Sequence, residues 1–213
     1  MTSSLAIDPS VVVWSVPESS LAQELATRPL LVLMHGRGSH ERDLFALAPL
    51  FPPRFVIAAL RAPIELAQGS FAWFPLGEPG LPSIVAADAA VQSLFDWLDS
   101  LPAAASISLL GFSQGGAMTL HALRQAPERF AAFVNLAGFV ISAAVDDSLQ
   151  MLGPAVFWGR DPADPVITAE AIARTAQWLP THSTLTERHY DGIGHSISRE
   201  ELDDVNVFLG AVI

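Results

Sequence analysis

The stretch that most constrains this chain is Leu109-Leu110-Gly111-Phe112-Ser113-Gln114-Gly115-Gly116-Ala117. Residues 107–110 form a short apolar run of strand character, and 114–125 carry a helical pattern. Between them, Gly111-x-Ser113-x-Gly115 has the spacing of a sharp strand-to-helix turn with a serine at its apex. Such a turn strains the apex backbone and leaves little room for side chains two residues to either side, which suits glycine. It exposes the serine hydroxyl and aims the first N–H groups of the helix at whatever that oxygen meets. Glycine and serine are also ordinary turn residues, so the motif draws its weight from the strand before it and the helix after it.

The rest of the chain alternates in the same way. Leu30-Leu31-Val32-Leu33-Met34 is apolar without a break, as a parallel strand buried on both faces must be. Further strands are predicted over 11–16 (an edge), 55–60, 130–136, 155–158 and 185–190, and further helices over 41–50, 84–98, 168–179 and 198–209. Ser83 stands where it would cap the helix over 84–98. The Gly- and Pro-rich segment 61–82 reads as loop, with an extended piece at 71–74. Strands alternating with helices predict an α/β fold: a mostly parallel central sheet with helices on both faces. With 213 residues, 51% of them hydrophobic and 15% charged, residues 1–213 read as one globular domain with a sizeable core.

A formal net charge of -11 argues against nucleic acid and anionic membrane surfaces as partners, and its plain meaning is solubility. The absence of cysteine removes disulfides, thiolate metal sites and a cysteine nucleophile. No histidines or carboxylates have metal-ligand spacing such as His-Glu-x-x-His, so neither a metal nor another cofactor is expected. The longest apolar stretch, 131–145, is interrupted by Asn135, Gly138 and Ser142 and is too short to span a membrane. The first ten residues lack a basic region followed by a long apolar run. The expectation is a cytoplasmic protein without stable membrane anchoring. The oligomeric state is left open, a homodimer included.

Sites in parallel sheets form at the carboxyl ends of the strands. Four strand-end loops carry informative residues: His35-Gly36-Arg37-Gly38, the turn at Ser113, Gly159-Arg160-Asp161-Pro162-Ala163-Asp164-Pro165, and Asp191-Gly192-Ile193-Gly194-His195-Ser196. Serine, acid and histidine thus follow in the chain order of an α/β-hydrolase triad. A serine hydroxyl is a poor nucleophile at neutral pH, so a base must take its proton during attack. Histidine can take that proton and return it to the leaving group. A carboxylate behind the ring fixes its tautomer and stabilises the imidazolium. The oxyanion formed on the substrate needs preorganised donors; the backbone N–H groups of Gln114 and Arg37 are the natural pair.

These motifs resemble a known family. His35-Gly36-Arg37-Gly38, Gly111-Phe112-Ser113-Gln114-Gly115-Gly116-Ala117-Met118, Asp164-Pro165-Val166-Ile167 and Gly192-Ile193-Gly194-His195-Ser196-Ile197 are similar to the phospholipase/carboxylesterase family of the α/β-hydrolases, which includes the acyl-protein thioesterases. The resemblance runs from about residue 30 to the end of the chain. It implies a triad of Ser113, Asp164 and His195, with Arg37 and Gln114 forming the oxyanion hole. The acid loop departs from the family spacing, since Gly159 stands further from the acid and Asp161-Pro162 looks like a small insertion. Asp161 therefore competes with Asp164 for the acid's place.

Blander readings stand beside these. His35 is either a second base or a ring packed under its loop, and the second is preferred. His121 reads as structural; His40, His182 and His189 read as surface or edge residues. Trp73, in the loop facing the site, is either pocket wall or plain core, and the family's aromatic pair at this place favours wall; Phe139 is a second wall candidate. Residues 137–154 are too few for a cap domain, so an open, shallow site is expected. The reading is a serine carboxylesterase acting on small short- to medium-chain esters. Its alternatives are an acyl thioesterase or lysophospholipase and, in a different class, a catalytically silent ligand-binding module.

Overall fold

The computed structural model describes residues 5–77, 82–142, 144 and 146–213. The ends of the expectations that reach residues 1–4, 78–81, 143 and 145 lie outside them. In chain order the elements are β1 (Val13–Trp14), α1 (Leu21–Thr27), β2 (Leu30–Met34), α2 (Glu41–Phe45), β3 (Val56–Leu60), β4 (Ile64–Ala67) and β5 (Ser70–Ala72). There follow α3 (Ile84–Asp99), β6 (Ile107–Phe112), α4 (Gln114–Gln125), β7 (Ala132–Leu136), α5 (Asp147–Leu152), β8 (Ala155–Arg160), α6 (Ala169–His182), β9 (Thr184–His189) and α7 (Arg199–Val212).

Seven strands form one sheet in the order β1-β3-β2-β6-β7-β8-β9. All its pairings are parallel except that of the edge strand β1 with β3. The unbroken apolar run of β2 has the reason foreseen for it: every residue is buried, and successive side chains feed opposite layers. Leu30, Val32 and Met34 join the core formed with α3, α4 and α6, whereas Leu31 and Leu33 join that formed with α2 and α7. Helices thus cover both faces, as the alternation predicts. Among the described residues, the segment 137–154 contributes only the short α5 and loops, and no cap is evident.

The topology locates the site. The chain enters at β2, winds outward to β3, then returns to β6 on the other side of β2 and winds on through β7, β8 and β9. The winding therefore reverses between β2 and β6, where a crevice opens at the strand carboxyl ends. Met34 stands in register with Gly111, so the loop after β2 and the turn after β6 leave the sheet side by side.

Some expectations are corrected locally. The edge strand over 11–16 shrinks to two residues, because Val11 closes a 3-10 turn opened by Pro9 and capped by Asp8. The helix over 41–50 ends at Phe45, since Pro49 allows only a 3-10 turn beyond it. The segment 61–82 contains an antiparallel hairpin, β4 with β5. α1 was not foreseen at all; only Leu25 of it is buried, too little to give a helical period. His182 is buried, not at the surface: its ring stacks on Trp178 at 4.2 Å and accepts the Asp146 N–H.

One buried acid makes the fold pH-dependent. Ser198 caps α7 by accepting the Glu201 N–H at 3.0 Å, which turns the Glu201 side chain inward toward β8. A Cβ on Gly159 would lie 2.2 Å from Glu201 Oε1. Both carboxyl oxygens are buried without a partner among the described residues. Burial pushes this carboxyl up to about 8, against an ordinary value of 4.5. The folded state therefore keeps a proton that the unfolded chain releases, and stability is lost as pH rises between those two values. At a little over 1.3 kcal/mol per pH unit, wild type should lose about 3 kcal/mol between pH 5 and pH 7 relative to Glu201→Gln. Denaturant unfolding of both proteins across that range measures it; parallel curves would show that the carboxyl ionises freely in the fold.

Candidate active site

Ser113 sits between β6 and α4 with φ 56° and ψ −115°, one of two non-glycine residues at positive φ among the described residues. Its N–H donates to Leu136 O at 2.8 Å, so β7 holds the turn from the side. The flanking glycines are required by space. A Cβ on Gly111 would come 2.0 Å from Gly115 O, and one on Gly115 would come 1.9 Å from Met34 O. Those contacts let β6, α4 and the end of β2 close together around the serine.

His195 lies on the loop after β9, where Gly192 and Gly194 both take positive φ. Its Nδ1 is 2.7 Å from Asp164 Oδ2, and its Nε2 is 2.9 Å from Ser113 Oγ. A carboxylate can only accept, so Nδ1 carries the proton and Nε2 is left to accept from the serine O–H. The other Asp164 oxygen accepts the N–H groups of Val166 and Ile167 at 2.7 and 3.2 Å, which fixes the carboxylate. The Asp164 side chain is 1% exposed, and the His195 side chain 15%. Phe112 packs beside the imidazole with ring centres 4.9 Å apart.

Asp161, the competing acid, has different work. Its oxygens accept the Ala163 N–H at 2.8 Å and the Gly194 N–H at 2.7 Å. Those backbone donors hold its carboxyl below the ordinary carboxylate value. It ties the acid loop to the histidine loop, while Asp164 alone of the two meets the ring.

The loop after β2 is braced from below. His35 is buried; its Nε2 accepts the Ala62 N–H at 3.1 Å, which leaves Nδ1 to donate to Gly36 O at 2.7 Å. Burial lowers its pKa, so the ring is neutral and holds backbone, as the packing reading anticipates. The Gln114 side chain accepts the Trp73 N–H at 2.9 Å and donates to Phe74 O at 2.8 Å. No acceptor for the backbone N–H of Arg37 or Gln114 occurs among the described residues.

A cleft of about 460 Å³ opens over Ser113 and His195. Arg37, Phe74, Leu76, Phe139, Val166 and Ile167 are among the residues that line it. Phe139 is thus in the wall, as expected, and Trp73 is not. Trp73 is 0% exposed, and its indole N–H donates to His35 O at 2.8 Å, which turns the ring beneath the site. The wall position belongs to its neighbour Phe74. Both aromatics are buried just beyond the end of β5, and the indole hydrogen bond sets Trp73 beneath the loop while Phe74 reaches the cleft. The sequence reading missed Phe74, Leu76, Val166 and Ile167, although Val166 and Ile167 directly follow the acid motif. It also missed the Gln114 side chain as a brace.

Known proteins share this chain's sequence pattern and fold. Residues 20–213 match the family model described as phospholipase/carboxylesterase. An acyl-protein thioesterase 1 of Kluyveromyces lactis is 30% identical over 115 residues, 51% of this chain and 50% of that protein. The match thus spans about half that relative's length. A probable carboxylesterase of Oryza sativa subsp. japonica is 26% identical over 88% of this chain and 79% of its own length. The crystal structure of esterase PE8 superposes with a TM-score of 0.73 at 26% identity, covering 88% of this chain and 94% of that one. Sheet order, turn and family match together make this chain a member of the phospholipase/carboxylesterase family of α/β-hydrolases.

Proposed function

We propose that the chain is a serine hydrolase that cleaves small carboxylic esters, with thioesters as its nearest alternative substrates, through an acyl-enzyme on Ser113. The observation that carries this reading is the unbroken line from Asp164 through His195 to Ser113 Oγ, at 2.7 and 2.9 Å. The substrate carbonyl enters with its oxygen toward the Arg37 and Gln114 N–H groups. Ser113 Oγ attacks the carbonyl carbon as His195 Nε2 takes the hydroxyl proton. The two N–H groups stabilise the tetrahedral oxyanion, each contributing on the order of 3 kcal/mol. Collapse expels the alcohol or thiol, which receives the proton from His195. Water then repeats the sequence, with His195 as base, and releases the acid. A silent binding module would have no need of this complete set. No helix among the described residues is long and apolar enough to cross a membrane.

Ser113→Ala should lower kcat for 4-nitrophenyl butyrate by at least about 10³-fold while leaving the unfolding midpoint close to wild type. A chelator should have no effect. Asp164→Asn should lose on the order of 10⁴-fold in kcat, since the tautomer is no longer fixed. Asp161→Asn should lose far less, with a lowered Tm, because it only loosens the brace between two loops. Steady-state kinetics with thermal unfolding on all three variants checks this; a larger kcat loss for Asp161→Asn would transfer the acid's role to that residue.

The cleft wall sets chain length. Each methylene buried against Phe139, Val166 and Ile167 gains about 0.8 kcal/mol, or about fourfold in kcat/KM, until the cleft is filled. In a series of 4-nitrophenyl esters, kcat/KM should rise over the first few acyl carbons and then flatten, with no jump when droplets form. Phe139→Ala should move the optimum to longer chains. Trp73→Ala should lower activity at every length and destabilise by about 3–5 kcal/mol, since it empties a buried site under the loop. A rise continuing to long acyl chains would show a deep or lidded site.

A further inference from the structure

Every basic side chain in this protein other than histidine is an arginine, eleven in all, against 22 carboxylates. Six of them pair with carboxylates, as Arg61 does with Glu41 at 2.7 Å. Arg54 and Arg124 donate to backbone carbonyls, and Arg174 donates to Val140 O. Among the described residues only Arg37 and Arg42 lack an acceptor for their guanidinium, and of the two only Arg37 lines the cleft. Arg37 is exposed there beside Ser113, above a wall of Phe74, Leu76 and Phe139.

A guanidinium left without a carboxylate in so acidic a chain is a vacant place for an anion. The chain's charge of -11 repels anions at long range, so an anionic substrate is admitted only where a local cation offsets that field. The amino end of α4 adds its positive pole at the same spot, since Ser113 is the residue before Gln114. The fork of a guanidinium fits a carboxylate with two parallel hydrogen bonds. A single positive side chain balances a monoanion and leaves a phosphate dianion half compensated, so the matching group is a carboxylate. We propose that Arg37, through its side chain, selects ester substrates that carry a free carboxylate within reach of the scissile bond. This rests on the serine-hydrolase reading of the same cleft and adds the charge class of its substrate.

The test uses two matched pairs. In the first the carboxylate is on the acyl side: the 4-nitrophenyl monoester of glutaric acid against 4-nitrophenyl valerate. In the second it is on the leaving group: 4-acetoxybenzoate against methyl 4-acetoxybenzoate. Within each protein the ratio of kcat/KM, anionic over neutral, is measured for wild type, Arg37→Met and Arg37→Lys. Any change at the backbone of residue 37 affects both members of a pair and cancels in the ratio. A charge-assisted hydrogen bond of ordinary strength predicts that Arg37→Met lowers the ratio about tenfold in one pair, which also tells on which side the carboxylate sits. Arg37→Lys should keep part of the ratio. Ratios that change less than about twofold in both pairs would overturn the assignment while leaving ester hydrolysis intact. Failure of wild type to turn over any of the four esters would instead overturn the serine-hydrolase reading itself.

Discussion

The backbone reversal at Ser113 is the constraint on which the remaining geometry depends. A serine at φ 56°, ψ −115° is held in a region that costs on the order of 1–3 kcal/mol. That cost is offset by the close fit of β6, α4 and β2, which only glycine at 111 and 115 permits. The same fit makes the turn rigid. Because Gly115 rests against the Met34 carbonyl, the loop that begins at His35 is positioned by the same contact. Ser113 and the loop that begins at His35 are therefore a single mechanical unit, built where the winding of the sheet reverses.

Polar groups beneath and behind the site keep that unit in register. His35, Trp73 and Gln114 form one network under the loop after β2, in which Trp73 links the His35 carbonyl to the Gln114 side chain. Asp161 does the same for the other half, joining the acid and histidine loops through the Gly194 N–H. Buried polar groups that are satisfied in this way specify one arrangement, because breaking any bond leaves a partner unpaired. Glu201 departs from this pattern: a buried carboxyl with no partner among the described residues, tolerated because it stays protonated.

Much of this was legible in the sequence where a residue's role is local. The buried strand at 30–34, the helix at 114–125 and the strained serine between glycines follow from apolar patterning and backbone sterics alone. The order of serine, acid and histidine was legible on strand-end loops, and the family resemblance favoured Asp164 as the acid, with Asp161 left as its competitor. What escaped depends on tertiary contact. Asp161 and Asp164 are three residues apart with identical chemistry, and only the path of the loop decides which one meets the imidazole. Trp73 and Phe74 are adjacent aromatics, and the choice between them is made by an indole N–H that needs the His35 carbonyl. Arg37 was read for its backbone, whereas its side chain is informative only against the nine other arginines whose guanidinium groups have acceptors.

The central claim is that Ser113 is a nucleophile activated by His195. A fluorophosphonate probe forms a covalent bond only with such a serine, and peptide mass spectrometry locates the adduct. The account predicts stoichiometric labelling on Ser113, abolished in Ser113→Ala and slowed by orders of magnitude in His195→Ala, where the hydroxyl keeps its proton. No adduct on the wild-type protein, or an adduct on another residue with Ser113 unmodified, would contradict it.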